Sequence, residues 1–407
     1  MIDSSESQMT SNSEPSSPKY SLWQMVLYAL KLGSIGFGGP IALVGYMHRD
    51  LVEEKQWISE AEYSEGMTVA QVAPGPLAAQ LAIYLGYVHY GILGASLVGI
   101  VFVLPSFLIV VGLGWAYTLY GGLNWMQAVF YGVSACVIGI IALSSYKLTH
   151  KLVKGRLLWI IFVVTAAVTV IKEEEDVWLI LGAGVLVWLL QAPPNWFSRG
   201  KTFSIGLNPL LVQGLAVSQA AVPVADGNTL WSLFWFFTQA GAFVFGSGLA
   251  ILPFLYGGVV NNFHWLTDRQ FLDAVAVAMI TPGPVVITVA FVGFLVAGLA
   301  GASVAALATF LPCYLFTIIF APYLKKHGKQ PGIAAFVNGV TAAATGAIVG
   351  AVIVLGRRSL IDLPTILIAV ATLALLWKFK QKLPEPVMVA IAAVVGLVIY
   401  PLAHSAS

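Results

Sequence analysis

Two short stretches hold the residues whose types and spacing could do chemistry. Ala73-Pro74-Gly75-Pro76 lies between two apolar runs, and Thr281-Pro282-Gly283-Pro284 repeats it 208 residues later. Proline lacks an N–H and clashes with the preceding helical turn, while glycine is a poor helix former. A Pro-Gly-Pro therefore ends one helix and starts another. The new helix begins with unpaired N–H groups and a partial positive charge. That arrangement suits an oxyanion and requires no metal. Two such ends facing one cavity would form an oxyanion site from Pro74, Gly75, Pro76, Pro282, Gly283 and Pro284. The glycine-rich Gly36–Gly39 stretch, with Gly38, Gly39 and Pro40, and the Gly246–Gly248 stretch offer further backbone donors. Gln71 and Gln80 flank the first break, and Thr281 and Thr288 flank the second. These side chains can donate to a substrate or to the carbonyls that a break sets free.

Three ionisable residues lie near these stretches. Glu65 and Asp273 each stand nine residues before the first proline of a break, about two and a half turns down the same helix. An acid within a membrane span is costly, and is a candidate for proton binding coupled to substrate movement. The competing reading puts both at an interface, where acids suit a helix amino terminus. That second reading fits Glu60 and Asp268, which directly follow Ser59 and Thr267 caps. Lys31 sits between Leu30 and Leu32 in the first apolar run, six residues before Phe37. It could balance an anionic substrate, or snorkel to a headgroup.

The elements that must position these residues are membrane helices. Of 407 residues, 59% are hydrophobic and only 9% charged, against about a quarter charged in a soluble domain. So few charges cannot cover a soluble surface, and the composition specifies an all-α polytopic membrane protein. The net charge of +2 gives no reason to expect a nucleic-acid partner. Cys136 and Cys313 lie in apolar runs with no CxxC, and the six histidines show no ligand spacing. The expectation is small buried thiols, no metal site, no cofactor and no catalytic residue.

Residues 1–18, polar and serine-rich, read as a disordered cytoplasmic tail. Helices are expected on both sides of Gly36–Pro40, from a Ser59/Glu62 capping box to Val72, and onward from the break to His89. A long span over 91–119 carries Pro105 as an expected kink, and spans near 125–146, 157–171 and 177–191 complete the half. From Trp231 the pattern returns. Phe245-Gly246 matches Phe37-Gly38, and Trp265 matches Trp57, at an offset of 208. Pro312 matches Pro105 and Gly346 matches Gly139 at 207. Such constancy marks an internal duplication, with repeats over 19–200 and 229–403 joined by 201–228.

Basic loops mark the cytoplasmic side. Lys147, Lys151, Lys154 and Arg156 follow the fourth span of the first half, whereas Lys325, Lys326 and Lys329 follow the third span of the second. Equivalent loops have changed sides, so the repeats read as inverted; Arg357-Arg358 stands against that reading. Inversion needs an odd number of crossings between equivalent points, and the chargeless run Gly206–Ala225 is long enough to supply one. The expected total is thirteen spans, with matched broken helices as the pointer to a transporter's binding site.

At Phe37-Gly38-Gly39-Pro40, Trp57-Ile58-Ser59-Glu60 and Ala73-Pro74-Gly75-Pro76 running into Gln80–Tyr87, the chain resembles the chromate ion transporter family in its long, two-domain form. Phe245-Gly246-Ser247-Gly248 with Thr281–Pro284 fits the same plan, although the second copy lacks the proline of the first. The resemblance spans roughly residues 22–400. It implies an inner-membrane (plasma-membrane) carrier that exports chromate, a tetrahedral dianion resembling sulfate, using the proton motive force and conferring chromate resistance. Expected partners are chromate or a sulfate-like oxyanion, protons, membrane lipids and, as a homodimer, a second copy of the chain. Uptake of sulfate or a related oxyanion, and an anion channel, are the rival functions.

Overall fold

The computed structural model describes residues 20–36, 39–73, 75–120, 124–173, 176–193, 227–243, 251–327, 330–379 and 385–404. The amino-terminal tail, Gly38, Pro74, Gly246 and the whole Gly206–Ala225 run lie outside the described residues.

Every regular element among the described residues is helical. The first half contains α1 (Leu22–Ile35), α2 (Gly39–His48), α3 (Glu60–Val72), α4 (Leu77–Tyr120), α5 (Asn124–Leu152), α6 (Arg156–Lys172) and α7 (Val177–Gln191). The second contains α8 (Gly227–Phe243), α9 (Ile251–Tyr256), α10 (Asp268–Ile280), α11 (Thr288–His327), α12 (Pro331–Ser359), α13 (Leu363–Phe379) and α14 (Glu385–His404). Five stretches are long and apolar enough to cross a membrane, within α4, α5, α11, α12 and α14. The shorter α1, α7 and α13 are also apolar. Large apolar side chains such as Ile100, Leu108, Ile160, Val394 and Leu307 face outward. Water would penalise such a surface at about 25 cal/mol per Å2, whereas lipid does not. The chain is a multi-pass membrane protein.

Local chemistry sets the helix starts. Ser59 and Glu62 form the expected capping box on α3, and Thr267 and Gln270 form its counterpart on α10. The 208-residue spacing recurs in the backbone itself. Irregular wide turns occupy Arg49–Glu54 and Gly257–Asn262, and Gln56 and His264 both have positive φ. Helix α4 runs through Pro105 without ending there, and the boundary expected between His89 and the 91–119 span falls at Gly91, at φ 57° and ψ −146°. Likewise α11 runs through Pro312 and turns at Gly298, at φ 59° and ψ −150°. Glycine tolerates those dihedrals; a proline in a wide membrane helix bends it without leaving the helical region. One expectation is corrected: Lys147 and Lys151 lie within α5, which runs on to Leu152, rather than in a loop.

The halves pack by exchange. Helix α5 lies along α13 in the same direction, with Gly139 against Ala369 and Thr372 and the Tyr146 ring tilted against Trp377. It lies along α14 in the opposite direction, with Gln127 near Tyr400 and Gly132 against Ala392. Helix α12 repeats both pairings with the first half. Gly346 and Gly350 meet Phe162, Thr165 and Thr169 of α6, and Gly339 meets Ala183 of α7. A Cβ at Gly132 would sit 2.0 Å from the Ala392 carbonyl oxygen, and one at Gly346 2.1 Å from Thr165 Oγ1. Small residues thus let the backbones of opposite halves touch, which is how helices associate without a hydrophobic drive between them.

Candidate functional site

The first break starts where α3 ends at Val72. Gly75 has φ +140°, the Pro76 carbonyl accepts from the Gln80 N–H at 2.9 Å, and α4 begins at Leu77. Gln80 is fully buried, and its Nε2 donates to the Ala73 carbonyl at 3.2 Å. Its amide therefore spans the break and satisfies a carbonyl that the lost helix turn frees. In the second break Gly283 has φ +96°, and Pro282, Gly283 and Pro284 are all buried. Here threonines do the work of Gln80: Thr281 Oγ1 donates to the Val277 carbonyl and Thr288 Oγ1 to the Val285 carbonyl.

Each break rests on a long helix of the other half. Gly75 packs on Cys313 of α11, with a Cβ there 3.0 Å from the Cys313 Cβ. Gly283 packs on Ser106 of α4, with a Cβ there 2.1 Å from Ser106 Oγ. Ser106 and Cys313 are equivalent at the 207 offset, each directly following the proline of its helix. The Gly283 N–H donates to the Gly36 carbonyl at 2.8 Å, so the broken end of α1 meets the second Pro-Gly-Pro. That N–H is therefore occupied in this arrangement. Gly39 and Pro40 open α2, just beyond the same junction.

The acids divide as their positions suggest. Asp273 is 2% exposed and accepts from the Tyr117 hydroxyl at 2.8 Å. Glu65 is half-buried and accepts from the Tyr84 hydroxyl at 3.3 Å. Both phenols come from α4, one near each end. Tyr117 also stacks edge-on with Phe130 and Phe291, and lines an apolar crevice of about 410 Å3 between α4, α5, α10 and α14. Glu60 and Asp268 stand at helix starts and pair outward, Glu60 with His48 at 2.9 Å and Asp268 with Arg358. Arg358 also pairs with Glu173 and lies over the Tyr256 ring. Of the two arginines that stood against the loop-charge reading, Arg358 is thus paired with acids from two other segments, while Arg357 is exposed. Lys31 is exposed on α1, beside the buried Leu32 and Gly33.

Sequence reasoning missed Tyr84, Tyr117, Ser106 and the Gly36 carbonyl. Alignment of the halves could have found Ser106, because it pairs with Cys313 behind Pro105 and Pro312. The tyrosines have no such signal, since phenylalanine and leucine occupy the equivalent positions 291 and 324.

Fold and site together define a class: a multi-pass helical membrane protein whose broken helices are seated on opposing long helices. The family model described as chromate transporter matches this chain twice, over residues 23–188 and 231–397. The chain is 65% identical over 388 residues to the chromate transport protein of Cupriavidus metallidurans, covering 95% of each chain. It is 66% identical to a probable chromate transport protein of Synechococcus elongatus, covering 94% of this chain and 97% of that one. Similarity to the chromate transport protein of Pseudomonas aeruginosa is 30% over 408 residues. No solved structure matches. The chain belongs to the chromate transporter family.

Proposed function

We propose that this protein is a secondary carrier that exports chromate across the inner membrane, driven by the proton motive force, and so confers chromate resistance. The observation that carries the reading is the reciprocal seating of two Pro-Gly-Pro breaks, Gly75 on Cys313 and Gly283 on Ser106. It is joined by the 65% identity to a chromate transport protein. The repeats, 19–200 and 229–403, are inverted in this reading. Helix α13 follows α12 after three residues and so turns back on it, yet α13 runs alongside α5 in the same direction. Equivalent helices α5 and α12 then point oppositely across the membrane, as a two-fold axis in the membrane plane requires. Thirteen spans follow, counting one through the 201–228 connection.

In the mechanism, the oxyanion, chromate or the isosteric sulfate, binds at the amino-terminal ends after the breaks. Backbone donors of Gly38, Gly39, Gly75, Gly246 and Gly283, with Pro40, Pro74, Pro76, Pro282 and Pro284 holding those ends open, form the site. Gln80 lends its amide, and Lys31 supplies counter-charge at the approach. Loading the second break requires the Gly36 carbonyl to leave the Gly283 N–H, which gives binding a structural step to drive. Glu65 and Asp273 exchange protons, and the Tyr84 and Tyr117 hydroxyls donate to their ionised forms. The protein works as a homodimer.

Chromate flux into inside-out vesicles, with and without an uncoupler and with sulfate as competitor, tests this. Accumulation that the uncoupler abolishes is expected. Sulfate uptake in right-side-out vesicles with no chromate accumulation would keep the anion site and overturn export. Flux that neither saturates nor exchanges with internal anion would identify a channel.

A further inference from the structure

Several serine and threonine hydroxyls inside these helices hand their proton to a carbonyl one turn back. Ser145, Thr149, Thr165, Thr309, Thr317 and Thr345 all do so, at 2.7–2.9 Å. Ser106 does not, nor does Ser359 at the end of α12. Ser106 is 0% exposed, and its Oγ has no hydrogen-bond partner. A buried hydroxyl left in this state is destabilising, and the residue type does not force it. The hydroxyl is aimed at the second break, where only the missing Cβ of Gly283 leaves it room. On the other side of the same junction, the Gly33 carbonyl and the Gly36 carbonyl approach Gly283. At the first break the equivalent position holds Cys313, whose thiol is a weak donor that tolerates an apolar setting.

We infer that the Ser106 hydroxyl is a ligand for the transported oxyanion at the second break, and that it makes the two breaks chemically unequal. The inference rests on the proposed oxyanion site and adds to it a side-chain donor on the opposing half. When the Gly36 carbonyl gives up the Gly283 N–H, that N–H and the Ser106 O–H converge on one place. A tetrahedral dianion has oxygens for both, and a hydrogen bond to a charged acceptor is stronger than one to a carbonyl. The first break, facing a thiol, lacks this hydroxyl and has the Gln80 amide beside it instead. The carrier therefore presents two chemically different side-chain donors along its path, a polarity that two identical breaks could not supply.

Ser106→Ala tests this in the purified full-length protein, using sulfate and chromate separately as probes. Thermal unfolding is followed against anion concentration, and chromate transport in inside-out vesicles is resolved into KM and maximal rate. For the wild type, both anions should raise the unfolding midpoint. For Ser106→Ala, the anion-free midpoint should hold or rise, because an orphaned hydroxyl has gone. Its midpoint should respond only at roughly ten-fold higher anion concentration, with KM raised on the order of ten-fold. Ser106→Cys, which copies the other half, should behave as Ser106→Ala does and guards against a packing artefact. Equal anion response and equal KM in wild type and both variants would overturn the role of Ser106 while leaving the oxyanion site standing. No response to either anion in the wild type would remove the oxyanion site itself, and the ligand role of Ser106 with it.

Discussion

Gly283→Ala probes the seating of the second break. The backbone there has φ +96°, a region that costs a residue with a Cβ about 1–3 kcal/mol. The added methyl would also stand 2.1 Å from Ser106 Oγ, an overlap that must be relieved by a rotamer change or a shift of α4. Overpacking of this kind adds about 1–3 kcal/mol. Gly298→Ala is the control: it has φ +59° and nothing within 4 Å of its missing Cβ, so it bears the backbone cost alone. Gly283→Ala should therefore be the more destabilised of the two by about 1–3 kcal/mol. Gly75→Ala should fall between them, since its nearest neighbours lie at 2.8–3.0 Å. A double-mutant cycle of Gly283→Ala with Ser106→Gly isolates the overlap from the helix cost of the glycine, with an expected coupling of about 1–3 kcal/mol. Thermal unfolding of the purified protein gives the stabilities, and vesicle transport gives the activity. If Gly283→Ala is no less stable than Gly298→Ala, or if the cycle shows no coupling, the reciprocal seating of the breaks is wrong.

Other measurements address other parts of the structure. Single cysteines replacing Lys154 and Ile361, exposed and equivalent at the 207 offset, should be labelled from opposite sides of the membrane; same-side labelling refutes inversion. The native thiols should add no background in that assay, since both cysteines are fully buried. Glu65→Gln and Asp273→Asn keep a hydrogen-bonding oxygen for Tyr84 and Tyr117 but remove the charge. Each should slow or uncouple chromate transport, and wild-type proton-dependent flux would exclude that residue from coupling. Arg358→Gln breaks two partly exposed ion pairs, each worth up to about 1 kcal/mol, so it should lower stability by no more than roughly 2 kcal/mol. Gly132→Val drives a side chain into the Ala392 backbone and should disrupt α5–α14 packing, seen as loss of monodisperse folded protein.

Much was legible in the amino-acid sequence because membranes make sequence rules strict. A span must be apolar, a break needs proline or glycine, and a helix start in an aqueous interface wants a cap. The ends of α3, the restart at Leu77 and the duplicated landmarks at offsets 208 and 207 all follow from residues near one another in the chain. Pro105 sits inside α4 because proline can bend a long helix without ending it, whereas Gly91, ordinary in an apolar run, is free to take the dihedrals that turn the chain. The rest is decided across distance. That α5 belongs with α13 and α14, and α12 with α6 and α7, depends on matching small residues from opposite halves, and no local pattern encodes which glycine meets which carbonyl. The partners of Glu65 and Asp273 are phenols with no counterpart in the other half, so symmetry could not reveal them. Ser106 looks like any helical serine until packing denies its hydroxyl a partner and turns it toward Gly283. Local backbone preference therefore set the breaks, and tertiary packing alone chose what they face.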